Sequence, residues 1–112
     1  MKNLDILDFK SIIENLVNNI AVQEYDKLEQ HKQNGIIPIT DLTNRIKEYG
    51  YKIIPLPSGW IKDALAYNID DKRLDVYLAL WTNSGKSDLT LSVSCFFVNN
   101  HPYVEINDLE VL

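Results

Sequence analysis

The stretch Arg73-Leu74-Asp75-Val76-Tyr77-Leu78-Ala79-Leu80-Trp81-Thr82 decides the fold, because its side chains alternate in character. Leu74, Val76, Leu78 and Leu80 fall on one side of an extended chain, and Asp75, Tyr77, Ala79 and Trp81 on the other. Successive side chains of a strand point to opposite faces, so the pattern specifies a strand with one apolar side. The same period continues downstream. Leu89, Leu91, Val93, Cys95 and Phe97 oppose Thr90, Ser92, Ser94 and Phe96; Val104 and Ile106 oppose Tyr103, Glu105 and Asn107. Strands are expected at about 64–69, 73–82, 88–98 and 102–107, separated by turn-forming clusters at hairpin spacing. These clusters are Asp70-Asp71, Asn83-Ser84-Gly85-Lys86 and Asn99-Asn100-His101-Pro102. A four-stranded antiparallel meander follows.

Upstream the period changes to that of helices. Phe9, Ile12, Ile13, Leu16, Val17 and Ile20 share one face of a helix over about residues 5–20, with Asp5 or Asp8 placed to cap it and Asn18-Asn19 placed to break it. A second, more polar helix is expected over about Gln23–Gln33, with Val22, Tyr25 and Leu28 inward and Asn34-Gly35 at its end. Thr40 as N-cap and Gly50 beyond the last turn frame a third, whose buried stripe is Leu42, Ile46 and Tyr49. Pro55, Pro57 and Gly59 make residues 51–59 a connector that can neither continue a helix nor sit inside a sheet. The expected architecture is α+β: three N-terminal helices (residues 1–50) packed on a C-terminal antiparallel sheet (residues 60–112) in one domain spanning 1–112.

Composition agrees. The chain has 112 residues, 46% hydrophobic and 24% charged, which excludes disordered, collagen-like and low-complexity classes. A single cysteine excludes a disulfide framework and a metal site built on cysteine pairs. Asp5, Asp8 and Lys10 interrupt any signal-peptide pattern, and no run approaches the roughly 18 apolar residues of a membrane span. A cytoplasmic protein with a reduced Cys95 is the expectation. The net charge of −5 repels phosphate backbones, so nucleic acid is not an expected partner. Residues 60–112 hold eight acidic against four basic groups and residues 1–59 eight against seven, so the excess lies on the sheet half.

The aliphatic face of the meander must cover the helices. The other face is read as Asp75, Tyr77, Trp81, Thr90, Ser92, Ser94, Phe96, Tyr103 and Glu105, with no lysine or arginine. Tyrosine and tryptophan are enriched at binding hot spots, which makes this face a candidate docking surface centred on Asp75, Tyr77, Trp81, Tyr103 and Glu105, with Asp70, Asp71 and Asp88 at its rim. The ordinary alternative, that Tyr77, Trp81 and Phe96 form a minor core under a loop, stays open. Catalytic signals are weak. Gly85-Lys86-Ser87 matches the end of a phosphate-binding loop, but the full pattern needs glycine where Leu80 stands and a helix where a strand follows. Cys95 falls on the apolar face, and neither His31 nor His101 has a second histidine at metal-ligand spacing. No enzyme activity, cofactor or metal is expected.

Leu80-Trp81-Thr82 with Ser87-Asp88-Leu89-Thr90-Leu91-Ser92, and the C-terminal Val104-Glu105-Ile106-Asn107-Asp108-Leu109-Glu110-Val111-Leu112, resemble a family of small bacterial domains of unknown function. The helix framed by Ile39-Thr40 and Tyr49-Gly50 occupies a comparable place. Small acidic bacterial proteins of this kind often serve as immunity proteins of polymorphic toxin or contact-dependent growth inhibition systems. The resemblance therefore implies binding of a cognate toxin domain by a monomer or weak homodimer. A nuclease toxin would suit the charge, since its phosphate-binding surface is basic. The alternative is a cystatin-like or nuclear-transport-factor-like domain with a small molecule between helix and sheet, and the aliphatic inward set argues against it.

Overall fold

The computed structural model describes residues 4–111. Three helices, α1 (Lys10–Ala21), α2 (Tyr25–Gln30) and α3 (Ile39–Tyr49), precede five strands: β1 (Ile53–Ile54), β2 (Leu65–Asp70), β3 (Arg73–Thr82), β4 (Gly85–Val98) and β5 (His101–Val111). All pairings are antiparallel, in the order β1-β3-β4-β5, with β2 also on β3. The sheet thus has five strands rather than four. The additional one, β1, is two residues long and sits beside the end of β3, Ile53 against Thr82 and Ile54 against Trp81. Two residues ahead of a proline-rich connector are too few to show a period.

Helix boundaries follow local chemistry. Asp5 accepts a hydrogen bond from the Leu7 amide at 3.0 Å, capping a short 3-10 turn over Ile6–Asp8, and α1 starts only at Lys10. Asn18 and Asn19 do not break α1, which runs to Ala21; the chain turns at Gln23, whose φ is +61°. The second helix is shorter than expected, and Val22 points outward at 60% exposure while Leu28 is sealed. Thr40 lies inside the first turn of α3; Pro38 is the residue that precedes the helix. Gly50 ends it in the left-handed conformation, φ +86°, as its place in the sequence requires.

The core is the layer between helices and sheet. Phe9, Ile13, Leu16, Val17, Ile20, Leu28 and Leu42 meet Leu74, Val76, Leu78, Leu80, Leu91, Val93, Cys95 and Val104, all buried. Burial of this area from water, at about 25 cal/mol per Å², fixes which way the sheet faces. Cys95 is part of this layer, and burial pushes its thiol up to about 12. Phe97 departs from the pattern: at the far end of β4 it is 44% exposed and touches only the margin of the core, its ring 5.2 Å from that of Phe9. Trp60 closes the opposite margin, its indole N–H donating to Glu14 at 2.9 Å. That bond and the nearby Lys10 ammonium hold the Glu14 carboxyl below its usual value.

One irregularity shapes the last strand. Val93 pairs with Ile106 but Ser92 with Asp108, so Asn107 is an extra residue, a β-bulge. Beyond it the alternation restarts one residue late. Leu109 turns inward and is buried, while Asp108 and Glu110 come up opposite Ser92 and Thr90 on the outer face.

The outermost strands end differently. Along β5 runs the segment after α2: the Ile106 amide donates to the Gln33 carbonyl at 2.7 Å, and Ile37 is buried beneath. Gly35, with φ +59°, lets this segment approach, because a Cβ there would stand 2.3 Å from the Ile106 carbonyl oxygen. By contrast β2 pairs, among the described residues, with β3 alone, and every one of its six residues is exposed. No described helix is long and apolar enough to cross a membrane.

Candidate functional site

The outer face of the sheet is polar at its centre and aromatic at its sides. At the centre, Arg73 donates two hydrogen bonds to Asp75, Nε to Oδ1 at 2.8 Å and an Nη to Oδ2 at 3.0 Å. The Ser94 hydroxyl lies 3.1 Å from Asp75 Oδ1 and 2.8 Å from the Asn107 side-chain oxygen. Asp75 is only 6% exposed, and the pairing raises the Arg73 guanidinium above its usual value. The face therefore does carry an arginine, contrary to the sequence reading. Arg73 has the same parity as Asp75 and Tyr77, two and four residues on, so alternation alone could have placed it.

This network revises the role of Asp75. A carboxylate that is buried and fully partnered holds the sheet together; charge reversal there would leave Arg73 unpaired beside a second cation and damage the fold. Two other expected contact residues are likewise engaged. Tyr103 places its hydroxyl 2.9 and 2.8 Å from the carbonyls of His31 and Lys32, tying the segment after α2 to β5, and packs on Phe96 at 5.2 Å. Burial and the Glu105 carboxylate push its hydroxyl pKa up. Asp88 is not on the rim of this face: it accepts a 2.5 Å hydrogen bond from the Tyr49 hydroxyl, at the end of the sheet where α3 crosses.

The remaining candidates are available. Tyr77 is 39% exposed at the middle of the face, Trp81 is half-buried across from Lys86, and Glu105 stands half-exposed opposite Ser94. Asp70 and Asp71 form the β2–β3 hairpin tip, where Asp70 also accepts from the Lys72 amide at 2.7 Å. A shallow groove of about 380 Å³ runs beside Tyr77, with Arg73 and Asp75 on one wall and Asp108 and Glu110 on the other. Sequence reasoning missed Asp108 and Glu110, since only the Asn107 bulge brings them to this face. Asp108 is bound in turn by Arg45 of α3 at 2.8 Å, so Glu110 is the freer of the two.

Sequence reasoning also passed over Leu65, Tyr67 and Ile69. They occupy alternate positions of β2, share a face with Tyr77, and line an apolar hollow of about 370 Å³. The rings of Tyr67 and Tyr77 meet edge to face, 5.8 Å apart. Among the described residues no three His, Cys, Asp or Glu side chains gather closely enough to hold a metal ion. The site is a surface of exposed rings bordered by carboxylates.

Comparison with curated proteins and with solved structures returned no match. Over residues 17–112 the sequence matches a family described as a domain of unknown function, and the chain belongs to that family, DUF7668.

Proposed function

We propose that this domain binds and neutralises a partner protein, a bacterial toxin domain with a basic surface, through the uncovered face of its sheet. The observation that carries this reading is the groove beside Tyr77. An exposed aromatic ring borders carboxylates of Asp108 and Glu110, while the cations within reach, Arg73 and Arg45, are each committed to a carboxylate already. An arginine or lysine of a partner would find a ring face for its cation and an acidic wall for its hydrogen bonds. A nuclease toxin suits this chemistry. Tyr77, Trp81, Glu105, Asp70 and Asp71 keep their assigned contact role; Asp108 and Glu110 join them. The buried side chains of Phe9, Ile13, Leu16 and Leu28 between helices and sheet favour this reading over the small-molecule alternative.

The test starts from the coding sequence immediately upstream. Its C-terminal domain is expected to arrest growth when expressed alone and to be tolerated when this domain is co-expressed. Calorimetry with the purified pair should show affinity falling as salt rises, and roughly tenfold weaker binding for Glu110→Lys or Tyr77→Ala. An upstream product that is harmless and does not bind overturns the reading.

A further inference from the structure

Asn34 is the one asparagine in the chain that is followed by glycine. The pair sits in the segment after α2 that covers β5, and both residues are half-buried, within reach of water. The fold uses each of them. The Asn34 side-chain amide donates to the Ile37 carbonyl at 2.7 Å, and the Ile37 amide donates to the Asn34 carbonyl at 3.1 Å, so the two residues close the turn between them. Gly35 has no substitute, since a Cβ there would stand 2.3 Å from the Ile106 carbonyl oxygen. An asparagine followed by a residue without Cβ is the least hindered to cyclise, because nothing shields its side-chain carbonyl carbon from the next backbone nitrogen.

We propose that Asn34-Gly35 is a self-modification site, converted by water to an aspartyl or isoaspartyl residue when the segment over β5 opens. The Gly35 nitrogen bonds to Asn34 Cγ, the Cγ–Nδ2 bond breaks, and Nδ2 leaves as ammonia with the proton that Gly35 gives up. A succinimide ring remains. Water then cleaves one of its two carbonyl–nitrogen bonds: at Cγ the product is aspartate, and at the main-chain carbonyl it is isoaspartate, whose backbone is one carbon longer. One water is consumed and one ammonia released, with no change of oxidation state. In the closed structure both reacting groups are held elsewhere, the Gly35 N–H by the Lys32 carbonyl at 3.3 Å and Nδ2 by the Ile37 carbonyl. Cyclisation breaks both contacts, so it proceeds from the opened state and its rate follows the population of that state. The product does not close again in the same way. A carboxylate has no proton to offer the Ile37 carbonyl. The longer isoaspartyl backbone meets a segment with no slack, where Gly35 lies against Ile106. Each opening that reacts is thereby written into the covalent chain.

The reaction is followed on the purified protein alone, so it stands apart from any toxin. Mass spectrometry of the tryptic peptide spanning residues 33–45, with fragmentation assigning the change to Asn34, reads it in warm, mildly alkaline buffer. In urea beyond the unfolding midpoint Asn34 should convert roughly tenfold or more faster than in native buffer, and faster than every other asparagine. Tyr103→Phe loosens the tie between β5 and the carbonyls of His31 and Lys32. It should speed the native reaction about fivefold and leave the rate in urea unchanged. Asn34→Asp, which places one product there by mutation, should expose the Ile106 amide to hydrogen exchange about tenfold faster than in wild type. An Asn34 that stays intact in urea, equal rates with and without urea, a native rate unmoved by Tyr103→Phe, or an Asn34→Asp variant whose Ile106 amide is as protected as in wild type overturns the proposal.

Discussion

The two outer strands, β5 and β2, begin from the same problem and solve it differently. Each has one side paired and one row of amides and carbonyls facing away from the sheet. On β5 the row is met by the chain itself: Gln33 takes the Ile106 amide, Gly35 admits the approach, and Tyr103 clasps the carbonyls of His31 and Lys32. On β2 the Leu4 amide donates to the Asn68 side chain at 3.0 Å, and among the described residues no backbone group outside β3 meets the row. The difference shows that a helical layer protects a sheet only where its loops reach the margin. The segment after α2 reaches β5, and among the described residues no segment joined to a helix pairs its backbone with β2.

Hydrogen exchange gives the largest contrast. The Ile106 amide should exchange through near-global opening, and the outward amides of β2 should exchange orders of magnitude faster; equal protection would mean that β2 is covered. Ile106→Ala should cost about 3–4 kcal/mol in urea denaturation, because a fully buried side chain is removed beneath the covered edge. Gly35→Ala should cost about 2–3 kcal/mol from the left-handed backbone and the collision with Ile106. A cost below about 0.5 kcal/mol would show that the covering segment is ornamental.

Tyr103→Phe should cost about 1 kcal/mol near neutrality. The hydroxyl must stay protonated to donate, and its pKa is raised above the ordinary 10.0, so the contribution is complete below that value and disappears as pH climbs through the raised one. Wild type and variant should therefore converge in strong alkali. At the small end, Ile69→Ser on β2 should change monomer stability by less than about 0.5 kcal/mol, since it removes an exposed side chain from an uncovered strand.

Much of this architecture could be read from residue pattern. Alternation in 73–82 and 89–96 placed two strands and their buried faces, and the helical stripes named Ile13, Leu16, Val17, Leu28, Leu42 and Ile46 as core. What could not be read depends on neighbours. Leu65, Tyr67 and Ile69 alternate visibly, but their opposite set, Ala66 and Asn68, is no more buried, so nothing local says which face is wet. The engagement of Tyr103 and Asp88 arises from contacts 39 to 72 residues away along the chain. A docking residue and a strut can be the same residue type, and only the partner distinguishes them.

The single inserted residue in β5 has an evolutionary corollary. Were the bulge flattened with Asn107 still in place, the tail would slip by one, sending two carboxylates toward hydrocarbon and a leucine into water, whereas loss of Asn107 alone would leave Asp108 and Leu109 on the faces they hold. Relatives without the bulge are thus expected to lack the residue at Asn107 and keep the letters of the tail, or to keep it and swap hydrophobic and acidic letters throughout the tail. The bulge, and not the acidic letters alone, decides which face of the sheet that charge reaches.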